Sequence, residues 1–147
     1  MEQINNNDTP SGESAEAAHG TATLASNIAS SAVGTQEPSG KVDVASAENE
    51  VALRPSAENY LSLSLAYWQA GRFQDCIAMS RKALNLRPKY AEAHNNISAA
   101  YHSMGQWDAA IAAARDALRI SPNYRLAKNN LAQSLASKKE QEDKLTF

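Results

Sequence analysis

A repeat of 34 residues is the feature that most restricts what this chain can fold into. Residues 57 to 90, AENYLSLSLAYWQAGRFQDCIAMSRKALNLRPKY, are followed without a gap by residues 91 to 124, AEAHNNISAAYHSMGQWDAAIAAARDALRISPNY, in the same pattern. A period of this length is typical of proteins built from stacked copies of one small unit. Such a unit buries its apolar face only against its neighbours, so the repeat has to be explained before any single residue.

Each complete unit contains the apolar periodicity of two helices. In the first unit, four residues follow the i, i+3, i+4, i+7 spacing of one helix face, and a glycine turn ends that helix. A second apolar stripe follows at once and is closed by a proline. The residues of the first stripe and its turn are Tyr60, Leu63, Ser64, Tyr67 and Gly71, and their equivalents are His94, Ile97, Ser98, Tyr101 and Gly105.

Partial units flank the two complete ones. Residues 125 to 138 contain one apolar stripe without the glycine turn and predict a single capping helix. Residues 139 to 147 are interpreted as a charged C-terminal tail. Upstream, Val51 and Pro55 repeat the spacing of residues 84 and 88, so residues 46 to 56 are interpreted as a possible degenerate half-repeat.

The pattern resembles the tetratricopeptide repeat, whose signature is a large residue, a large aliphatic residue, a small residue and an aromatic residue, followed by Gly, small residues and a closing Pro. The resemblance covers residues 57 to about 137 and implies an all-α fold, a short right-handed α-solenoid of antiparallel helix pairs. Four positions depart from the family pattern: Cys76, Ser80, Ala114 and Lys128. These departures indicate less tightly filled packing within the same fold. The matching residues are Tyr60, Leu63, Ser64, Tyr67, Gly71, Ala83 and Pro88, and His94, Ile97, Ser98, Tyr101, Gly105, Ala110, Ala117 and Pro122.

The first 45 residues have a different character. They are rich in Ser, Ala, Asn, Thr, Gly and Glu and contain few large apolar side chains. Such a segment buries too little surface to offset the roughly 1 to 2 kcal/mol per residue lost on ordering the backbone. Residues 1 to 45 are therefore predicted to form a disordered acidic tail, which either serves solubility or shields a groove on the folded part.

Charge and cysteine content narrow the function class. Residues 1 to 54 have eight acidic and two basic side chains, whereas residues 55 to 147 have eight acidic and twelve basic ones. No stripe of basic and aromatic residues accompanies this mild positive charge, so nucleic acid is not an expected partner. The only cysteine is Cys76, which is compatible with a reducing compartment, and no apolar run is long enough to span a membrane. We expect a cytoplasmic protein.

The repeats contain no arrangement typical of catalysis. No acid and base pair is brought together by the helical spacing, and His94 and His102 lie eight residues apart, too far for the usual shared metal coordination. We expect no enzyme activity, no cofactor and no bound metal.

The resemblance implies a function in protein binding. In this family the first helix of each pair lines a concave groove, in which a segment of a protein partner binds. Asparagine amides in equivalent positions of successive repeats suit an extended peptide, because an amide both donates and accepts hydrogen bonds. Apolar residues at the end of the groove formed by the first repeat would anchor one large side chain of the partner. The groove residues expected here are Leu61, Ser62, Leu65, Trp68, Asn95, Asn96, His102, Asn129, Asn130 and Gln133.

Two alternatives remain open at this stage. The asparagines occur at this position in the family whatever the ligand, and Trp68 would also be suited to covering the end of the stack. The whole chain would also serve as an assembly element that stacks end to end with itself or with a larger repeat protein, a possible homo-oligomer. The residues expected at that end surface are Leu126, Leu131, Leu135, Leu145 and Phe147.

Overall fold

The protein is all-α, as its sequence predicts. A computed structural model describes residues 43–146, and within this range the secondary structure consists of helices joined by short turns. The helices form a right-handed α-solenoid of antiparallel pairs. They are α1 (Val44–Leu53), α2 (Ala57–Gln69), α3 (Phe73–Leu86), α4 (Ala91–Ser103), α5 (Trp107–Ile120) and α6 (Arg125–Leu145).

Glycine turns separate the two helices of each pair. Gly71 and Gly105 have φ angles of 78° and 73°, in the left-handed region that favours glycine. In the first turn the amide of Arg72 donates to the carbonyl of Tyr67 at 2.8 Å, and the same bond recurs one repeat later. The bond uses a carbonyl that the end of the helix would otherwise leave unpaired. The chain therefore reverses direction within three residues and places α3 against α2.

The helices form two layers. The inner helices, α2, α4 and α6, contact one another from repeat to repeat, whereas the outer helices, α1, α3 and α5, do not contact one another among the described residues. Each of α3 and α5 instead lies between two inner helices. Because helices of the same layer contact one another only in the inner layer, the repeats lie closer together there and the array is concave on that side.

Small residues allow the two helices of a pair to approach closely. Ser64 and Ser98 occupy equivalent positions on α2 and α4 and have no exposed surface. Each hydroxyl is satisfied locally: that of Ser64 donates to the carbonyl of Leu61 at 2.7 Å, and that of Ser98 donates to the carbonyl of Ala110 at 2.8 Å. A buried hydroxyl costs free energy unless it is paired, and both of these are paired inside the array.

Helix α1 occupies the stretch interpreted as a half-repeat. Asp43 caps it by accepting a hydrogen bond from the amide of Ser46 at 3.0 Å. On α2, the hydroxyl of Tyr67 donates to a carboxylate oxygen of Glu48 at 2.6 Å, which fixes α1 to the first pair. The disordered tail predicted for residues 1 to 45 lies outside the described residues, apart from its last three, of which two already belong to α1.

Helix α6 is longer than its sequence predicts. The predicted capping helix ends at residue 138 and is followed by a charged tail, but the structure continues the helix to Leu145. Ion pairs one helical turn apart explain the extension, because oppositely charged side chains at i and i+4 stabilise a helix even without an apolar face. They are Lys138–Glu142, Lys139–Asp143 and Glu140–Lys144.

The burial of Tyr67 generates a stability prediction. Its side chain is only 7% exposed and lies in the largest core cluster, so Tyr67→Ala is expected to lower the free energy of unfolding by about 3 kcal/mol. Urea unfolding followed by circular dichroism measures this loss. Leu86→Ala is the matched control, because Leu86 is 56% exposed and its truncation should change stability by less than about 0.5 kcal/mol. Equal losses in the two variants would contradict this account of the core.

Candidate functional site

The candidate site is the concave face of the array. All ten residues expected to contact a partner lie on the inner helices: four on α2, three on α4 and three on α6. The structure divides them into a buried group and a group with accessible side chains. The buried group is Leu61, Leu65, Asn95, Asn96 and Asn130, and the accessible group is Ser62, Trp68, His102, Asn129 and Gln133.

Two leucines of the expected apolar patch are inside the array. Leu61 is 3% exposed and shares a core cluster with Ala83 of α3 and with Tyr90 in the turn before α4, and Leu65 is completely buried. Of the three residues expected to anchor an apolar side chain, Trp68 alone has accessible surface. The contact between inner helices accounts for the difference, since it buries positions that a single isolated repeat would leave open.

The asparagines bond to their own array. The side-chain amide of Asn130 donates to the side-chain oxygen of Asn95 at 2.8 Å, which joins α6 to α4. The side-chain amide of Asn96 donates to the hydroxyl of Ser64 at 3.0 Å, which joins α4 to α2. The expected amide ladder therefore exists as a set of bonds between repeats. The remaining donor of Asn95 is buried without a partner, which costs about 1 to 3 kcal/mol.

Two further bonds lie on the accessible part of this face. The indole nitrogen of Trp68 donates to the hydroxyl of Ser103 at 3.3 Å, joining α2 to α4. The Nδ1 atom of His102 lies 3.0 Å from the hydroxyl of Ser134, joining α4 to α6. His102 also packs edge-on against the ring of Trp107, with 5.1 Å between ring centroids. These contacts hold both aromatic side chains in defined positions on the concave face.

Two of the serine partners, Ser64 and Ser134, are not among the expected site residues. The sequence pattern places Ser64 on the packed stripe of the first helix and does not single out Ser134. Their signal lies in the sequence separation: the bonded pairs on this face are 32 or 35 residues apart, close to one repeat. Polar residues separated by about one period on inner helices were therefore candidates for bonds between repeats.

The geometry of the helix pairs agrees with the comparison to known families. The sequence profile of the family described as tetratricopeptide repeat matches residues 55–123. The chain carries tetratricopeptide repeats. The matched range contains the first complete unit and all but the last residue of the second, and it includes both glycine turns.

Solved tetratricopeptide repeat structures share this architecture. One crystal structure of MamA protein aligns with a TM-score of 0.60 and 27% identity over 70% of this chain and 57% of that one. A second crystal structure of MamA aligns with a TM-score of 0.52 and 24% identity over 68% of this chain and 69% of that one. A mutant O-GlcNAc transferase from Thermobaculum terrenum aligns with a TM-score of 0.59 and 21% identity over 80% of this chain.

The extent of these alignments differs between the two chains compared. The aligned part spans little more than half of the first MamA chain, 57%, and 22% of the transferase chain. At 24% and 21% identity, the second MamA structure and the transferase show the fold alone. No curated protein sequence matches the chain closely enough to count as a relative.

The histidines of the tetratricopeptide repeats are both shifted towards the neutral form. Burial lowers the pKa of His102 below its ordinary value of 6.5. Burial and then the charge of Arg119 lower the pKa of His94. Asp116 lies 4.0 Å from His94 Nδ1, but its carboxylate also forms an ion pair with Arg119, which limits its effect on the imidazole. Neither histidine is arranged with an acidic partner as in a catalytic pair.

Cys76 lies inside the first repeat and not on the concave face. Its side chain is fully buried, and its thiol donates to the main-chain oxygen of Asn96 at 3.8 Å. Burial raises the pKa of this thiol to about 12. The thiolate is the reactive form of cysteine, and the raised pKa keeps Cys76 protonated. Cys76 therefore acts as a small buried apolar residue.

Residues 43–146 show no gathering of three or more His, Cys, Asp or Glu side chains that would hold a metal ion. In the same range, the helices are too short or too polar to cross a membrane.

The shifted pKa of His102 generates a pH prediction. Its pKa is lower in the folded protein than in the unfolded chain, so its contribution to stability is complete above about pH 6.5 and is lost as the pH falls through the folded pKa. Urea unfolding at a series of pH values measures this loss. His102→Gln, which keeps a polar side chain, should make stability less dependent on pH between about 5 and 7. An unchanged dependence in the variant would contradict the assignment.

Proposed function

We propose that the array binds a segment of a protein partner along the concave face formed by α2, α4 and α6. The tetratricopeptide repeats and the solenoid fold make the chain a protein-interaction module. The use of the concave face as the binding surface is our proposal, and the proposed function involves no catalysis. The cytoplasmic location expected from the sequence stays a prediction.

One observation carries this proposal: two accessible aromatic side chains of the concave face, Trp68 and His102, are held in place before any partner arrives. Four hydrogen bonds connect the inner helices, and two of them fix the rings of Trp68 and His102. A surface whose side chains are already ordered loses less conformational entropy on binding. This order is what a binding face needs, and it is concentrated on the inner helices.

The chemistry of the face suggests the class of segment. The accessible group of the concave face is uncharged at neutral pH and offers hydroxyl, amide and aromatic side chains. Glu58, near the start of α2, is in an ion pair with Arg87, so its charge is matched within the array. Amide and hydroxyl groups suit the main chain of an extended or helical peptide, and Trp68 offers one apolar contact for a large side chain. We therefore expect an uncharged segment.

The test is a selection of random peptides displayed on phage against the intact chain, followed by affinity measurement of the enriched peptides. Trp68→Ala and Asn129→Ala should each weaken binding about tenfold or more, because they remove the aromatic anchor and an exposed amide of the same face. Leu86→Ala is the matched control, since Leu86 is an exposed apolar residue on the outer helix α3.

Peptides that bind the Trp68 and Asn129 variants as well as the parent protein would place the binding surface elsewhere. A selection without any enriched sequence would also contradict the proposal, because a preordered peptide face should capture at least weak ligands.

A further inference from the structure

The two end helices of the array each lack one neighbour. In the interior, α3 lies between α2 and α4, and α5 lies between α4 and α6. Among the described residues, the outer helix α1 contacts α2 alone, so it has no inner helix on its other side. The inner helix α6 contacts α4 and α5, so it has no second outer helix packed on it. Each end therefore lacks the type of helix that the other end supplies.

The open side of α6 carries residues that are equivalent to a buried stripe on the interior helix α2. Leu63 and Tyr67 of α2 are 3% and 7% exposed and lie in one core cluster with residues of both α3 and α1. Their equivalents on α6, at an offset of 68 residues, are Leu131, which is half-buried, and Leu135, which is 44% exposed. The position of the buried Ser64 is taken by Ala132, which is exposed. The stripe thus keeps the large and small residues of a helix-packing surface.

Within residues 43–146, no further helix of the chain covers this stripe. The residue equivalent to Gly71 and Gly105 is Lys139, which lies within the continuous helix α6. Without the glycine turn the chain does not reverse here, and the helix runs on to Leu145. Because α6 continues straight on, no following helix folds back over the stripe in the described part of the chain.

We infer that α1 of a second copy of this chain packs on the open stripe of α6, so that copies continue the array head to tail. In this arrangement α1 lies between the α6 of one copy and its own α2, as α3 lies between α2 and α4. Each copy contributes the missing neighbour of the other. The contact uses different surfaces on the two copies and does not close, so it produces chains of copies whose length grows with concentration.

Charge supports α1 as the occupant. In the interior, Ala83 of α3 clusters with Ala57 and packs near Tyr60 of α2. The corresponding residue of α1, at the offset of 33 that relates Pro55 to Pro88, is Glu50. The corresponding residues of α6, at an offset of 68, are Arg125 and Lys128, both exposed. Glu50 forms an exposed ion pair with Arg54 beside its own helix, which is worth little in water. Continuing the array brings the same carboxylate towards two further basic side chains.

Symmetric pairing is less favourable for the same reason. Two α6 stripes packed together would bring the lysines at position 128 onto one interface, and two α1 helices would bring their Glu50 carboxylates together. Like charges at a contact oppose association, whereas opposite charges direct it. The head-to-tail contact is the arrangement that matches charge as well as helix type.

Sedimentation velocity of the full chain tests this inference, over about 1 µM to 1 mM. Leu135→Arg blocks the α6 end, Glu50→Arg blocks the α1 end, and Leu86→Arg places the same charge on an exposed leucine of α3. The parent chain and Leu86→Arg should form larger species as concentration rises. Each blocked variant alone should need about tenfold more protein or higher for the same association.

Mixing the two blocked variants in equal amounts is the decisive step. Leu135→Arg keeps an intact α1 end and Glu50→Arg keeps an intact α6 end, so the mixture should form heterodimers and nothing larger. Their formation also shows that both variants are folded. A parent chain that stays monomeric, a blocked variant that associates as the parent does, or a mixture that fails to pair would each overturn the inference. Trp68→Ala should leave association unchanged, which separates this contact from the concave face.

Discussion

The packing of one outer helix between two inner helices is the interaction on which the rest of this structure depends. It requires close approach at Ser64 and Ser98, and a larger side chain at either position would push the pair apart. It also requires the chain to reverse direction at Gly71 and Gly105, where only glycine adopts the backbone angle without strain. The two complete repeats satisfy both conditions, and the array ends where the second condition is no longer met.

The concave face is a consequence of this packing. Once the outer helices are in place, the inner helices contact one another and bury side chains that the sequence pattern leaves facing outward. The polar ones among them then need partners, and they find these in the adjacent repeat: Asn96 bonds to Ser64, and Asn130 bonds to Asn95. The polar groups that would contact a ligand in an isolated repeat become, in the array, the bonds between repeats.

The sequence predicts the fold well because the fold depends on periodicity and on a few special residues. Spacing identifies Tyr60, Leu63 and Tyr67 as one packed face, and Gly71 as the turn. Spacing along one helix does not give the distance to the next, so the burial of Leu65 and the pairing of Asn95 with Asn130 were not predictable.

The C-terminal extension of α6 is a second feature that apolar periodicity does not predict. A search for an apolar face stops at residue 138, because the residues beyond it are charged. Their ion pairs nevertheless continue the helix, and such pairs follow from charge spacing and not from hydrophobicity.

The uneven contact between layers also determines how the array deforms under load. Flattening the curve separates the inner helices and stretches the side-chain hydrogen bonds between them, whereas the described outer helices have no contacts with one another that resist a change of spacing. The stiffness of the array therefore has two sources, the hydrogen bonds within the inner layer and the packing of α3 and α5 between consecutive inner helices. A pull along the solenoid axis would load both together, so the bonds of Trp68, Asn96, His102 and Asn130 would stretch as the outer helices lose their packing.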